Sequence, residues 1–147
     1  MKPKYFFPIL MICLLVIYMP PLFSQTAEIL SGNCQYSQYS TYDHGENINF
    51  RIQVKNTGST PLDGLWLNVS INYQCTNCNI YHHDFATRSR KWIDLPKLNP
   101  NQSYETGYKV LWHVPENGVS GIGTAYVELR DSSKVYDHGQ VGSFMIH

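Results

Sequence analysis

The chain lacks any surplus of charge: among 147 residues, eleven Lys and Arg stand against eleven Asp and Glu. Partners that bind through phosphate neutralisation need a basic patch, so nucleic acid and anionic membrane surfaces are not expected partners. Local enzyme motifs are missing too. No Ser sits between glycines, no Gly-rich loop is built to cradle a phosphate, and no helix carries paired metal ligands. The expectation is a protein that is not an enzyme. Beyond residue 24 no convincing amphipathic helix is found, and no βαβ pattern surrounds Cys75-Thr76-Asn77-Cys78, which sets aside a thioredoxin-like redox role.

One long apolar run is present, and it lies at the start. Lys2 and Lys4 precede an apolar stretch from Tyr5 to Tyr18, Pro20 and Pro21 break it, and Leu22-Phe23-Ser24 offers a cleavage site. Basic start, apolar run, breaker and small residue make the layout of a secretory signal peptide. An uncleaved anchor is the competing reading, since Tyr5 to Phe23 approaches bilayer length, but Pro8 and the proline pair oppose a stable spanning helix. Lipid attachment at Cys13 is disfavoured because Ile12 stands where a small residue is needed. Residues 1–24 are therefore predicted to be removed, giving a secreted, periplasmic or cell-surface protein with no membrane contact beyond that segment. The remaining residues 25–147 suit one domain, with nine basic and eleven acidic side chains.

In that remaining stretch the apolar residues recur with a period of two. Ile48, Phe50, Ile52 and Val54 alternate with polar residues, and so do Leu65, Leu67, Val69, Ile71 and Tyr73. Tyr104, Thr106, Tyr108, Val110, Trp112 and Val114 form a third alternating set. Such runs, rich in β-branched and aromatic residues, are strands with one buried face. Turn clusters separate them: Asn56 to Pro61, Asn99 to Gln102, and Pro115 to Gly118. Further strands are expected near Ala27–Leu30, Gly121–Arg130 and Gln140–Ile146. Short antiparallel strands of this number bury their apolar faces only as two packed sheets, so an all-β sandwich is predicted, with a small closed barrel as second choice.

Particular turns carry a resemblance. Phe50-Arg51-Ile52-Gln53-Val54-Lys55-Asn56-Thr57-Gly58-Ser59 resembles the strand followed by Asn-Thr-Gly of bacterial immunoglobulin-like modules, including the cell-adhesion-related type. Leu98-Asn99-Pro100-Asn101-Gln102-Ser103-Tyr104 is similar to the turn leading into a later strand of these modules, with Asn101 where Gly is usual. Val127-Glu128-Leu129-Arg130-Asp131 resembles their strand ending in Asp. The resemblance spans roughly residues 45–147 and implies an immunoglobulin-like antiparallel sandwich of six to eight strands in a binding or structural role. It implies no catalytic residue. The segment Gln74 to Trp92 is longer and richer in His and Cys than such modules usually carry.

Three groups of residues are candidates for function. Cys75, Cys78, His82 and His83 lie within nine residues, and sulfur with imidazole is a ligand set for zinc or copper. His44 is the expected additional ligand, because immunoglobulin-like topology puts its loop at the same end. Oxidation competes: export favours a disulfide between two of Cys34, Cys75 and Cys78, and an oxidised sulfur cannot bind metal as thiolate. In that case no cofactor is expected, and His82 and His83 should face solvent. The second group is an echo, Tyr42-Asp43-His44-Gly45-Glu46 against Tyr136-Asp137-His138-Gly139-Gln140, which reads as turn chemistry opening two strands. The third group is aromatic. Trp66 and Tyr126 fall out of phase with their buried neighbours and Trp92 lies among basic residues, as in a platform for a glycan. The alternative is that these rings simply cover sheet edges. Protein or glycan is thus the expected partner. Asn68-Val69-Ser70 and Asn101-Gln102-Ser103 also match the N-glycosylation pattern.

Overall fold

The computed structural model describes residues 26–34, 41–75, 81–85, 92–116 and 120–147. The predicted signal segment, Cys13 and Cys78 lie outside them, as do the side chains of Cys34 and Phe85. Among the described residues no helix is long and apolar enough to cross a membrane.

The alternating runs form strands. These are β1 (Ala27–Cys34), β2 (Thr41–Tyr42), β3 (Asn47–Asn56), β4 (Trp66–Cys75), β5 (Tyr81–Phe85), β6 (Ile93–Asp94), β7 (Ser103–Glu105), β8 (Val110–His113), β9 (Gly121–Arg130) and β10 (Val135–Ile146). One sheet runs β1-β3-β7, with β8 also on β3; the other runs β2-β10-β9-β4-β5, with β6 also on β4. The result is an immunoglobulin-like β-sandwich. Among the described residues it has ten strands, not the expected six to eight, because β2 and β6 are two-residue pieces too short to show a period. One pair also departs from the antiparallel rule: β2 runs parallel to β10.

The core fills the space between the sheets. Ile48, Phe50, Ile52 and Val54 of β3 face Leu67, Val69 and Ile71 of β4 and Val127 and Leu129 of β9, all essentially inaccessible. Trp112, Phe50 and Phe144 are the largest fully buried side chains, and the Trp112 and Phe144 rings meet at 5.6 Å. Gly123 makes room for them, since a Cβ there would strike the Phe144 ring.

The third alternating run is not one strand. Gly107 takes φ 60° and Tyr108-Lys109 form a turn, so the run splits into β7 and β8. Thr106 stays buried because its Oγ1 accepts from the Ile52 amide at 3.0 Å and donates to Gly107 O. Tyr108, expected with the inward set, is exposed beneath the Arg51 guanidinium.

The Asn-Thr-Gly turn has a physical basis. Asn56 is completely buried, its Nδ2 donating to Thr60 O at 2.8 Å and Leu98 O at 2.9 Å while its Oδ1 accepts from Gly58 N at 2.9 Å. One amide thereby joins the end of β3 to the turn after it and to the segment before β7. Asn101 donates its own amide to Asn56 O and adopts φ 62°, a left-handed geometry Asn tolerates better than most residues. At the β9–β10 turn, Asp131 Oδ1 accepts from Ser133 N, Ser133 Oγ and Lys134 N, and its Oδ2 accepts from Tyr136 OH. The Ser133 hydroxyl, the Tyr136 hydroxyl and the two amides hold the Asp131 carboxyl well below the usual range. Burial, followed by Asp131, pushes Tyr136 up to about 12.

Candidate functional site

The face of the larger sheet that points away from the core has no second layer among the described residues. Out-of-phase residues of β4 and β9 populate it, and pairing sets them in rows. Gln74 lies beside Ile122 and Tyr81, Asn72 beside Thr124 and His83, Ser70 beside Tyr126, and Trp66 beside Arg130. Between Ile122 and Arg130 the face extends roughly 27 Å at about 3.4 Å per residue.

At one end Trp66 and Trp92 come together, with ring centroids 6.4 Å apart. The Arg130 guanidinium lies 5.8 Å over the Trp66 ring and 3.7 Å from the Glu128 carboxylate. Trp92 remains 47% exposed. Asn68, next along the face, is half-buried, and its Oδ1 is enclosed without a hydrogen bond.

Tyr126, a candidate alongside the two tryptophans, stands midway along this face, four positions from Arg130 and four from Ile122. Three residues of β9 lie between it and Arg130, an offset of roughly 13 Å along the strand. Toward the Ile122 end, Tyr81, Ile122 and Tyr126 line a groove of about 220 Å³ together with Asn72, Tyr73, Gln74 and Thr124. Tyr81 is 74% exposed and Ile122 57%. Both were missed in the sequence. Ile122 did leave a signal, because it is a large apolar residue on the polar phase of its strand.

Of the expected metal ligands Cys78 lies outside the described residues, and the described ones are dispersed. His82 and His83 occupy successive positions of β5, so they project to opposite faces and cannot share one coordination sphere while the strand persists. His83 is exposed as expected, its ring Nδ1 donating to Asn72 Oδ1 at 2.6 Å. His82, expected in solvent, turns inward and stacks on Tyr73 at 4.5 Å, its Nε2 buried without a hydrogen bond. Asp84 also turns inward, and its Oδ2 accepts from the Trp112 indole at 2.8 Å, tying β5 to the opposite sheet. Burial, and after it the Asp84 charge, raises the Tyr73 hydroxyl above its ordinary pKa.

Cys75 ends β4 facing inward. His44 does lie at that end, since Tyr42, Ile146, Gly121 and Cys75 form one row. That row, however, spans three inter-strand steps of about 4.8 Å each. His44 Nδ1 donates to Pro115 O at 2.8 Å. Among the described residues no group of three or more His, Cys, Asp and Glu is placed to hold a metal ion.

The echo also divides. Asp43 to Glu46 form a turn with Gly45 at φ 85°, closed by Asp43 N to Glu46 Oε2 at 3.0 Å. The second copy lies within β10 and opens no strand, where Asp137 Oδ2 accepts from Ile29 N and links the two sheets. His138 pairs with Glu128, far along β10 from Ile146, so the two histidines stand at opposite ends.

No protein-family model matches the chain. No curated protein matches either. Solved structures do. The chain is similar to the sporulation control protein Spo0M of Bacillus subtilis, at 12% identity and TM-score 0.51, covering 84% of this chain and 50% of that one. It is similar to the alkylpurine DNA glycosylase AlkC of Pseudomonas fluorescens, at 13% identity and TM-score 0.52, covering 84% and 31%. It is also similar to the β-glucosidase EmGH1 of Erythrobacter marinus, at 10% identity and TM-score 0.51, covering 84% and 16%. The chain thus spans half or less of each of these proteins, and identities this low establish a shared fold alone.

Proposed function

We propose that the chain is an exported, non-enzymatic immunoglobulin-like module that binds a protein partner at the cell surface or in the periplasm. The observation that carries this reading is the Trp66–Trp92 pair with Arg130 over it, on a sheet face without a covering layer among the described residues. Trp and Arg supply a disproportionate share of binding energy at protein interfaces, where a few packed residues dominate. The basic-apolar-proline start supports export, with residues 25–147 as the mature domain. In that compartment two of Cys34, Cys75 and Cys78 form a disulfide, because export places them where thiols oxidise.

The test is recovery of a partner from the native host with tagged full-length chain. Trp92→Ala should lose, by about tenfold or more, a protein that wild type retains, as expected for one hot-spot ring. Equal recovery by wild type and variant contradicts the reading.

A further inference from the structure

We propose that the groove between Tyr81 and Tyr126 is a second binding site, one that takes a neutral sugar ring of an oligosaccharide. It lies at the opposite end of the face from Trp66 and Trp92 and does not depend on the protein-binding reading.

The lining chemistry selects the ligand. Tyr81, Ile122 and Tyr126 offer exposed apolar surface, suited to the C–H faces of a pyranose ring. Asn72, Gln74 and Thr124 offer amides and a hydroxyl beside them, suited to its hydroxyl edge. His83 holds Asn72 Oδ1 at 2.6 Å, which fixes the amide and leaves its two N–H donors for another acceptor. The Gln74 amide and the Tyr81 and Tyr126 hydroxyls add further polar groups on exposed residues at the same groove.

Charge and topology argue against other occupants. Among the described residues no Asp, Glu, Lys or Arg lines the groove, so phosphate, sulfate or carboxylate would enter without a counter-charge from them. A peptide strand adds to a sheet edge; β4 and β9 are each paired on both sides, and a strand added to the edge strand β5 would lie beyond Tyr81, outside the groove. The volume of about 220 Å³ is also below the ~300–1,000 Å³ of sites for drug-sized molecules, which suits one ring of a longer chain.

Calorimetry and amide NMR on the full chain would use neutral hexasaccharides of β-1,4-linked glucose and β-1,4-linked N-acetylglucosamine, with polygalacturonate as the charged comparison. At least one neutral chain should bind and shift the amides of Asn72, Ile122 and Thr124. Tyr81→Ala and Tyr126→Ala should each weaken it by about tenfold, the loss of one stacking ring, while Trp92→Ala stays within about twofold. Both tyrosines are exposed, so the variants should keep the wild-type amide spectrum elsewhere. No neutral binding by the folded chain, binding of polygalacturonate alone, or affinity insensitive to both tyrosine variants would each overturn the site.

Discussion

Removing the Asn56 side chain tests how the sandwich is closed. Asn56→Ala deletes three hydrogen bonds, to Thr60 O, Leu98 O and Gly58 N, at a position with no solvent access. Two of the partners keep another contact: Leu98 O still accepts from Leu62 N, and Gly58 N still donates to Thr26 O. The loss therefore lies near the net worth of three bonds, about 3 kcal/mol, with Thr60 O supplying an orphaned-carbonyl cost at the upper end. Against a domain stability of roughly 5–15 kcal/mol that is a large fraction. Urea unfolding should show a lower midpoint at unchanged slope, and the melting temperature should fall by about 12 °C. Lys55→Ala, next in the chain but outward-facing, should stay within about 0.5 kcal/mol. Asn56→Asp adds a diagnostic sign. The introduced carboxyl would sit against two carbonyl oxygens with its pKa raised, so this variant should gain stability as pH falls through that raised value. A loss under about 1 kcal/mol for Asn56→Ala would refute the hub assignment.

The same contacts fix other outcomes. Ile52→Asp places an unpaired charge in a fully inaccessible site, and circular dichroism should report an unfolded chain. Asp84→Ala orphans the Trp112 indole N–H and should cost about 1–3 kcal/mol in denaturant unfolding, with Asp84→Asn recovering much of it because one acceptor remains. Asp131 has a folded pKa below its unfolded value of about 3.9, so its contribution is complete above that value and is lost as pH falls through the folded pKa. The stability gap between wild type and Asp131→Asn should accordingly narrow below about pH 4, and a gap constant into acid would contradict the turn network.

The core was legible because β3, β4 and β9 each bury one face along ten residues, and a two-residue period over that length leaves little ambiguity. Asn56 and Asn101 were legible as turn residues, but not Asn56 as a buried hub, since its partners lie up to 42 positions away. The split at Gly107 was hidden because one residue with positive φ does not disturb the apolar alternation around it. His82 was misplaced for want of a phase: only when β5 pairs Tyr73 with His82 does the imidazole turn inward. The echo misled because local composition cannot separate a turn from a strand continuing through Gly139. The groove could not be seen at all. It is made where Tyr81, Gln74 and Ile122 meet across three strands, and register alone brings them together.

The most direct test of the binding account is site-specific photo-crosslinking of the full chain in its native host, with the crosslinker at position 92 and, as control, at position 55 on the opposite sheet. The account predicts one dominant protein adduct from position 92, abolished by Trp66→Ala, and none from position 55. Adducts of equal yield from both positions, or none from position 92 while the chain is folded and exported, would contradict it.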